Sequence, residues 1–294
     1  MSSLSTARRG RWQLELLLVA VIYAAYDGSR LLVRGGLEEA QHDATRLLDI
    51  EQWLHLDPER WLNSAFTSDR WLGIPADFAY ATLHYIVTPL ILAWLWRRHR
   101  EVYRRARTWL GISTVLALAG FILYPTAPPR LLPDSFGFTD TMAQHANVGW
   151  WAGSASAPKG LGSMTNEFAA MPSLHVGWAL WCGLMLLLYA QDRTAKVLGL
   201  LYPVTIALVV MGTANHYLLD ALAGAAVVGA GYLLSGPYLR LWDRVRARLA
   251  PTAAGPASAS APAAAPGAGA QPVGPSLPRV PDYPPATAEP AHAP

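Results

Sequence analysis

A chain of 294 residues that is 52% hydrophobic and only 15% charged, where ordinary soluble domains carry about 25% charge, is too apolar for a water-soluble fold of this length. Its formal net charge of +3 is small and scattered, which excludes a nucleic-acid-binding surface, and a single cysteine, Cys182, excludes an intrachain disulfide. The apolar residues come in runs, and a spanning helix needs roughly 20 of them. The expected class is therefore an all-α integral membrane protein, a bundle of six transmembrane helices.

In chain order, residues 1–11 carry Arg8, Arg9 and Arg11 and read as a cytoplasmic N-terminus. The first span is expected at 12–33, interrupted by Asp27 and Arg30 and retained as a signal anchor because no small-residue cleavage site follows it. Residues 34–70 are too polar to span. There Leu47, Ile50 and Leu54 recur at helical spacing, Asp49, Glu51 and Asp57 mark the other side, and Trp53, Trp61 and Trp71 suit a headgroup-level belt. One or two short helices on the outer leaflet are expected, with an ordinary extracytoplasmic loop as the alternative.

The next spans are expected at 72–96, 108–127, 172–190, 195–214 and 216–236. Arginines fill the link after the second (Arg97, Arg98, Arg100, Arg104, Arg105, Arg107), Arg193 and Lys196 join the fourth to the fifth, and Arg240, Arg244, Arg246 and Arg248 follow the sixth. Six spans put all these clusters on one side, which the positive-inside rule makes cytoplasmic. The protein is then a multi-pass cell-membrane protein with both termini inside. The membrane domain runs over 12–248. Residues 249–294 hold more than half of the 23 prolines, many alanines and few large apolar side chains, and are expected to form a disordered cytoplasmic tail.

Three segments at the outward-facing ends carry chemistry. Met171-Pro172-Ser173-Leu174-His175 opens the fourth span. Proline suits a first helical turn, whose free N–H groups and dipole favour an anion such as phosphate. Ser173 could add a hydroxyl donor and His175 could protonate a leaving oxygen; a helix cap followed by an interfacial histidine is the plain alternative. Asn215-His216-Tyr217-Leu218-Leu219-Asp220 opens the sixth span. The i, i+4 spacing puts Asp220 on the face of His216, where a carboxylate orients an imidazole nucleophile and stabilises its charge. The pair could instead simply pack two helices. Tyr124-Pro125-Thr126-Ala127-Pro128-Pro129-Arg130 leaves the third span, its prolines stiffening the exit. Arg130 could grip phosphate oxygens bidentately or merely snorkel.

These three segments resemble the type 2 phosphatidic acid phosphatase superfamily, over about residues 37–236. The resemblance implies a six-helix membrane core in which His216 forms a phosphohistidine, Asp220 orients it, His175 protonates the leaving group and Arg130 neutralises the phosphoryl oxygens. Leu174 stands where that family usually has glycine, Val209 and Val210 stand where it has a serine–arginine pair, and the lysine before Arg130 is missing. Lys159 in the outer loop is a candidate substitute. The Tyr-Pro…Pro-Pro-Arg element, Ala170 to His175, and His216-Tyr217…Asp220 look like the inositol phosphorylceramide synthase branch, which moves a phosphorylated head group between lipids. Tyr80 and His84 also look like a recurrent pair of that branch. With Lys159 and Asn215 they are candidate substrate contacts, although a buried structural histidine is an equal reading of His84.

The expected function is transfer of a lipid phosphate or phospho-head group at the outer leaflet, without a metal or other cofactor, since no carboxylate cluster suits magnesium. The substrate is a membrane lipid, and a lipid or glycan alcohol is the candidate acceptor. Water as acceptor would make the protein a lipid phosphate or polyprenyl pyrophosphate phosphatase. A transporter or scaffold that kept the fold is the non-catalytic alternative. Trp150, Trp151 and Gly160 to Gly162 in the outer loop could shield the site from water and favour transfer.

Overall fold

A computed structural model describes residues 36–152, 155–158 and 167–249, with isolated positions between 13 and 28. The expected first span, Lys159 with the neighbouring glycines, and the tail beyond Leu249 lie outside the described residues. Within them run α1 (Leu37–Trp53), α2 (Glu59–Ser68), α3 (Arg70–Arg98), α4 (Arg100–Leu123), a short α5 (Thr141–Gln144), a two-stranded antiparallel ribbon of β1 (Trp151–Ala152) and β2 (Ala155–Pro158), then α6 (Leu174–Tyr189), α7 (Arg193–Gly212) and α8 (Leu218–Leu249).

Four described helices, α3, α4, α7 and α8, are long and apolar enough to cross a membrane. The protein is a helical membrane protein on that ground. The span expected at 172–190 forms α6, which has only 16 residues. At 1.5 Å per residue it is about 24 Å long, short of a hydrocarbon core of about 30 Å.

Its start also differs from expectation. Pro172 does not occupy the first turn; Ser173 is the N-cap, its side chain accepting the Val176 N–H, and Pro172 stands one residue outside. The arginine-rich link after the second span shrinks to a single break at His99, because α4 begins at Arg100. Arginine is a good helix former, and Arg104 makes a two-pronged ion pair with Asp243 of α8, at 3.1 and 2.5 Å.

Helix α6 lies against both α7 and α8, α4 lies against α8, and α2 against α7. Small residues permit the close crossings. A Cβ on Gly224 of α8 would sit 2.3 Å from the Ser173 carbonyl oxygen, and one on Gly183 of α6 would sit 2.2 Å from the Gly199 carbonyl oxygen of α7. The α6–α8 crossing at Gly224 brings the beginnings of both helices together.

The described part of the 34–70 segment, residues 36–70, holds two helices, α1 and α2, but the buried face of α1 is not the one the spacing suggests. Leu47 is buried, whereas Ile50 and Leu54 are 51% and 42% exposed, and Glu51 is fully buried. Glu59 at the start of α2 is fully buried as well. Backbone N–H groups at the head of α8 draw both carboxyls inward.

Candidate active site

The site gathers where α4 and α7 end and α6 and α8 begin. The arginine-rich termini, Arg97 to Arg107, Arg193, and Arg246 with Arg248, stand at the opposite helix ends. Loop backbone binds the three segments to one another. Thr126 N–H donates to Phe168 O at 3.0 Å and Ala170 N–H to Thr126 O at 3.3 Å, while Arg130 N–H donates to Ala214 O at 2.9 Å. The Tyr217 hydroxyl donates to Ala127 O at 3.0 Å. Ala214 adopts a left-handed φ of 56°, a strained choice for alanine that turns the chain from α7 into α8.

His216 is buried, and its Nδ1 lies 2.9 Å from Ala170 O and 3.4 Å from Asp220 Oδ2. Both neighbours are acceptors, so Nδ1 carries the proton and Nε2 is left with the lone pair. Asp220 Oδ2 also accepts the Tyr217 N–H at 3.0 Å. It is the third helical residue reaching back to the cap, which is half of a capping box.

Two further donors at the head of α8 are met by Glu51, which the spacing placed on the polar side of its helix, and by Glu59, which carried no sequence signal. Leu218 N–H donates to Glu59 Oε1 and Leu219 N–H to Glu51 Oε1, both at 2.6 Å.

His175, the second residue of α6, faces His216 with ring centroids 5.5 Å apart and the planes inclined by 60°. Its other neighbours come from α3: Tyr80 stacks on it at 4.4 Å and 21°, and His84 meets it edge-on at 4.4 Å. His175 Nε2 is buried without a hydrogen-bond partner among the described residues. The structure thus brings Tyr80 and His84 to the second histidine rather than to the first. Ser173 is fully buried and serves as the cap of α6, its Oγ accepting Val176 N–H at 3.3 Å.

Arg130 reaches the same place from the α4 exit. Its Nε donates to Asn215 Oδ1 at 3.0 Å, and its Nη1 is 3.7 Å from Asp140 Oδ2. Asn215 is in turn held by Thr213, donating from Nδ2 to the Thr213 carbonyl at 3.1 Å and to its hydroxyl at 3.0 Å. Burial pushes the Asp140 carboxyl above the usual carboxylate range, with the Arg130 guanidinium opposing. Asp140 had no sequence signal, because the ion pair joins two loops.

The loop that carries Asp140 is pinned to α3 by a second buried pair. Asp77 accepts from Thr141 Oγ1 at 2.6 Å, and its other oxygen lies 2.7 Å from His145 Nδ1. Trp151, expected to shield the site, is fully buried and donates from Nε1 to Met142 O at 2.8 Å.

The family model described as the PAP2 superfamily matches residues 45–234. The chain belongs to this superfamily. No curated protein and no solved structure matches it. Membership in the PAP2 superfamily agrees with a phosphatase-type enzyme that acts on lipid phosphates. At the two places where a serine–arginine pair was expected of the superfamily, Val209 and Val210 are buried in the core. The Val210 carbonyl accepts the N–H groups of both Asn215 and His216 at 3.0 Å. That position serves the PAP2 site through its backbone.

Proposed function

We propose that this PAP2 protein is an integral-membrane lipid phosphotransferase, similar to inositolphosphotransferases, working at the outer leaflet through a phosphohistidine on His216. The observation that carries the reading is the pairing of His216, its Nδ1 proton engaged by Ala170 O and Asp220, with His175 5.5 Å away. Such an arrangement leaves Nε2 of His216 as nucleophile and puts an imidazole acid beside the leaving group.

In the first half-reaction, His216 Nε2 attacks phosphorus and the bond to the leaving oxygen breaks. His175, which takes up a proton as the anionic substrate binds, gives that proton to the leaving oxygen. Asp220 stabilises the positive charge that grows on His216. Arg130, steadied by Asn215 and Asp140, offsets charge on the phosphoryl oxygens. In the second half-reaction His175 takes the proton of an acceptor hydroxyl, whose oxygen attacks the phosphohistidine and releases His216. Burial of Tyr80 and His216, with His175 half-buried between them, supports exclusion of water and hence an alcohol acceptor.

Arginine-rich helix ends opposite the site support an outward-facing site with cytoplasmic termini. Tyr80, His84 and Asn215 remain candidate substrate contacts under this reading, as does Lys159.

The test uses purified full-length protein and labelled phosphatidylinositol, phosphatidate and a polyprenyl pyrophosphate, with and without alcohol acceptors, beside His216→Ala. Head-group transfer that requires an acceptor and vanishes in the variant is expected. Release of free phosphate would make water the acceptor. Turnover that survives His216→Ala, or no product from any lipid, would overturn the catalytic reading in favour of a scaffold or transporter.

A further inference from the structure

Three carboxyl groups converge on the first turn of α8, and one of them, Asp220, belongs to the proposed reaction centre. Glu51 arrives from α1 and Glu59 from α2. Both are fully buried, and each closes one hydrogen bond of 2.6 Å on a first-turn amide, Glu59 on Leu218 and Glu51 on Leu219. With Asp220 on the Tyr217 amide, three successive orphan donors of the helix head are satisfied by acids from three separate helices.

The remaining oxygens point to the protonation of this cluster. Glu51 Oε2, Glu59 Oε2 and Asp220 Oδ1 are buried without a hydrogen-bond partner among the described residues. Among those residues, no group of three or more His, Cys, Asp or Glu side chains is arranged to hold a metal ion. Ionised carboxylates with an unsolvated oxygen are costly to bury, and neighbouring carboxyls do not all ionise together. A helix N-terminus favours an anion, so the effects compete. Burial wins: together with the charge of Glu59 it pushes the Glu51 carboxyl up to about 9, against the opposing pull of the Leu219 amide. Burial raises Glu59 as well.

Building on the reading of His216 as nucleophile, we propose that Glu51 and Glu59 are positioning residues. As neutral acids they clamp the Leu218 and Leu219 amides and hold the first turn of α8, and with it His216 and Asp220, in register. Neutrality matters because Asp220, the one acid of the three with an imidazole beside it, His216 Nδ1 at 3.4 Å, is then the one anion there, so charge developing on His216 is balanced once. The two outer helices are thereby part of the catalytic apparatus, although neither glutamate touches substrate.

The test compares Glu51→Gln, Glu59→Gln, Glu51→Ala, Glu59→Ala and His216→Ala in full-length protein in nanodiscs. Amide hydrogen exchange of the segment 216–222 is followed alongside kcat and KM for the lipid found active in the panel above. Glutamine keeps a carbonyl acceptor and a neutral second atom, so the Gln variants should stay near wild type in both readouts. The Ala variants should exchange about tenfold faster in this segment and lose about tenfold in kcat with little change in KM.

Wild-type exchange and kcat in the Ala variants, or Gln variants as impaired as Ala, would overturn the clamp. If the Ala variants do not fold, the Gln variants decide: protected amides uphold the neutral clamp, and fast exchange overturns it. Full turnover in His216→Ala would defeat the nucleophile reading alone, since the exchange measurement still judges the clamp.

Discussion

The Nδ1 atom of His216 lies closer to the Ala170 carbonyl oxygen, at 2.9 Å, than to the carboxylate of Asp220, at 3.4 Å. The tautomer that frees Nε2 for attack is therefore set twice, once by backbone and once by side chain. Replacing Asp220 with Asn should spare the tautomer while removing the charge that balances the imidazolium. Turnover should fall by about 10²-fold in Asp220→Asn, against about 10³-fold or more in His216→Ala, in steady-state assays with the active lipid. Equal losses in the two variants would show that the Ala170 carbonyl does not hold the ring by itself.

Arg130 makes its bond to Asn215 through Nε, an atom lysine does not have. Arg130→Lys keeps the charge but loses the guanidinium plane and this anchor. A drop of about 10- to 100-fold in kcat/KM is expected, the equivalent of one charged hydrogen bond. Asn215→Ala should reproduce part of that loss without changing the charge. Wild-type kinetics in both variants would remove Arg130 from the site.

Gly224 faces the Ser173 carbonyl so closely that an added Cβ would lie 2.3 Å from that oxygen. Gly224→Ala must push the start of α6 away from α8. Overpacking of this kind costs about 1–3 kcal/mol, so Tm should fall, and turnover should fall further because His175 moves with α6. Thermal unfolding and an activity assay on the same sample separate the two effects.

Val210 is fully buried where an arginine is expected of the superfamily. Restoring that residue as Val210→Arg would bury an unpaired cation, with a penalty of about 3–5 kcal/mol. Loss of folded protein in size-exclusion chromatography is the expected outcome. A stable and more active variant would show that the site accepts a second cation there.

The Glu51 carboxyl is held at about 9, against 4.5 ordinarily. The folded state therefore binds more protons than the unfolded one between those values. The stability that this group supplies is complete below about 4.5 and is lost as pH rises through about 9. The charged and titratable groups around it are Glu59, Asp220 and Tyr217, with Asp57 beside Glu59. Tm measured from about pH 5 to about pH 9 should decline in the wild type, and the decline should be shallower in Glu51→Gln. Parallel curves would mean that Glu51 ionises normally.

Much of the site was legible as spacing. His216 and Asp220 are four residues apart on one helix, and local geometry alone makes them neighbours. His175 and Arg130 could be placed at the same end of the bundle because the arginine clusters alternate along the chain and mark the opposite helix ends. Their partners were not legible. Asp140 meets Arg130 by loop packing, and Ala170 meets His216 through a carbonyl, which every residue has.

The outer helices show the same limit from the other side. Spacing in 47–54 suggested an apolar face with Leu47, Ile50 and Leu54 inward and Glu51 outward, but Glu51 is buried with Leu47 while Ile50 and Leu54 are exposed. Periodicity reports what water prefers, and the first-turn amides of Leu218 and Leu219, which have no acceptor within their own helix, outweigh that preference by bonding Glu59 and Glu51 at 2.6 Å.

By itself, then, the sequence determined the helical membrane class, the helix ends that carry the arginines and the spacing of the motif residues, because hydrophobic runs, charge bias and i, i+4 spacing act within one segment. Which atoms complete the site, Ala170 O, Asp140, Glu51 and Glu59 among them, only the tertiary structure decided. Those contacts join residues far apart in the chain, where a buried donor takes whichever acceptor the packing brings to it.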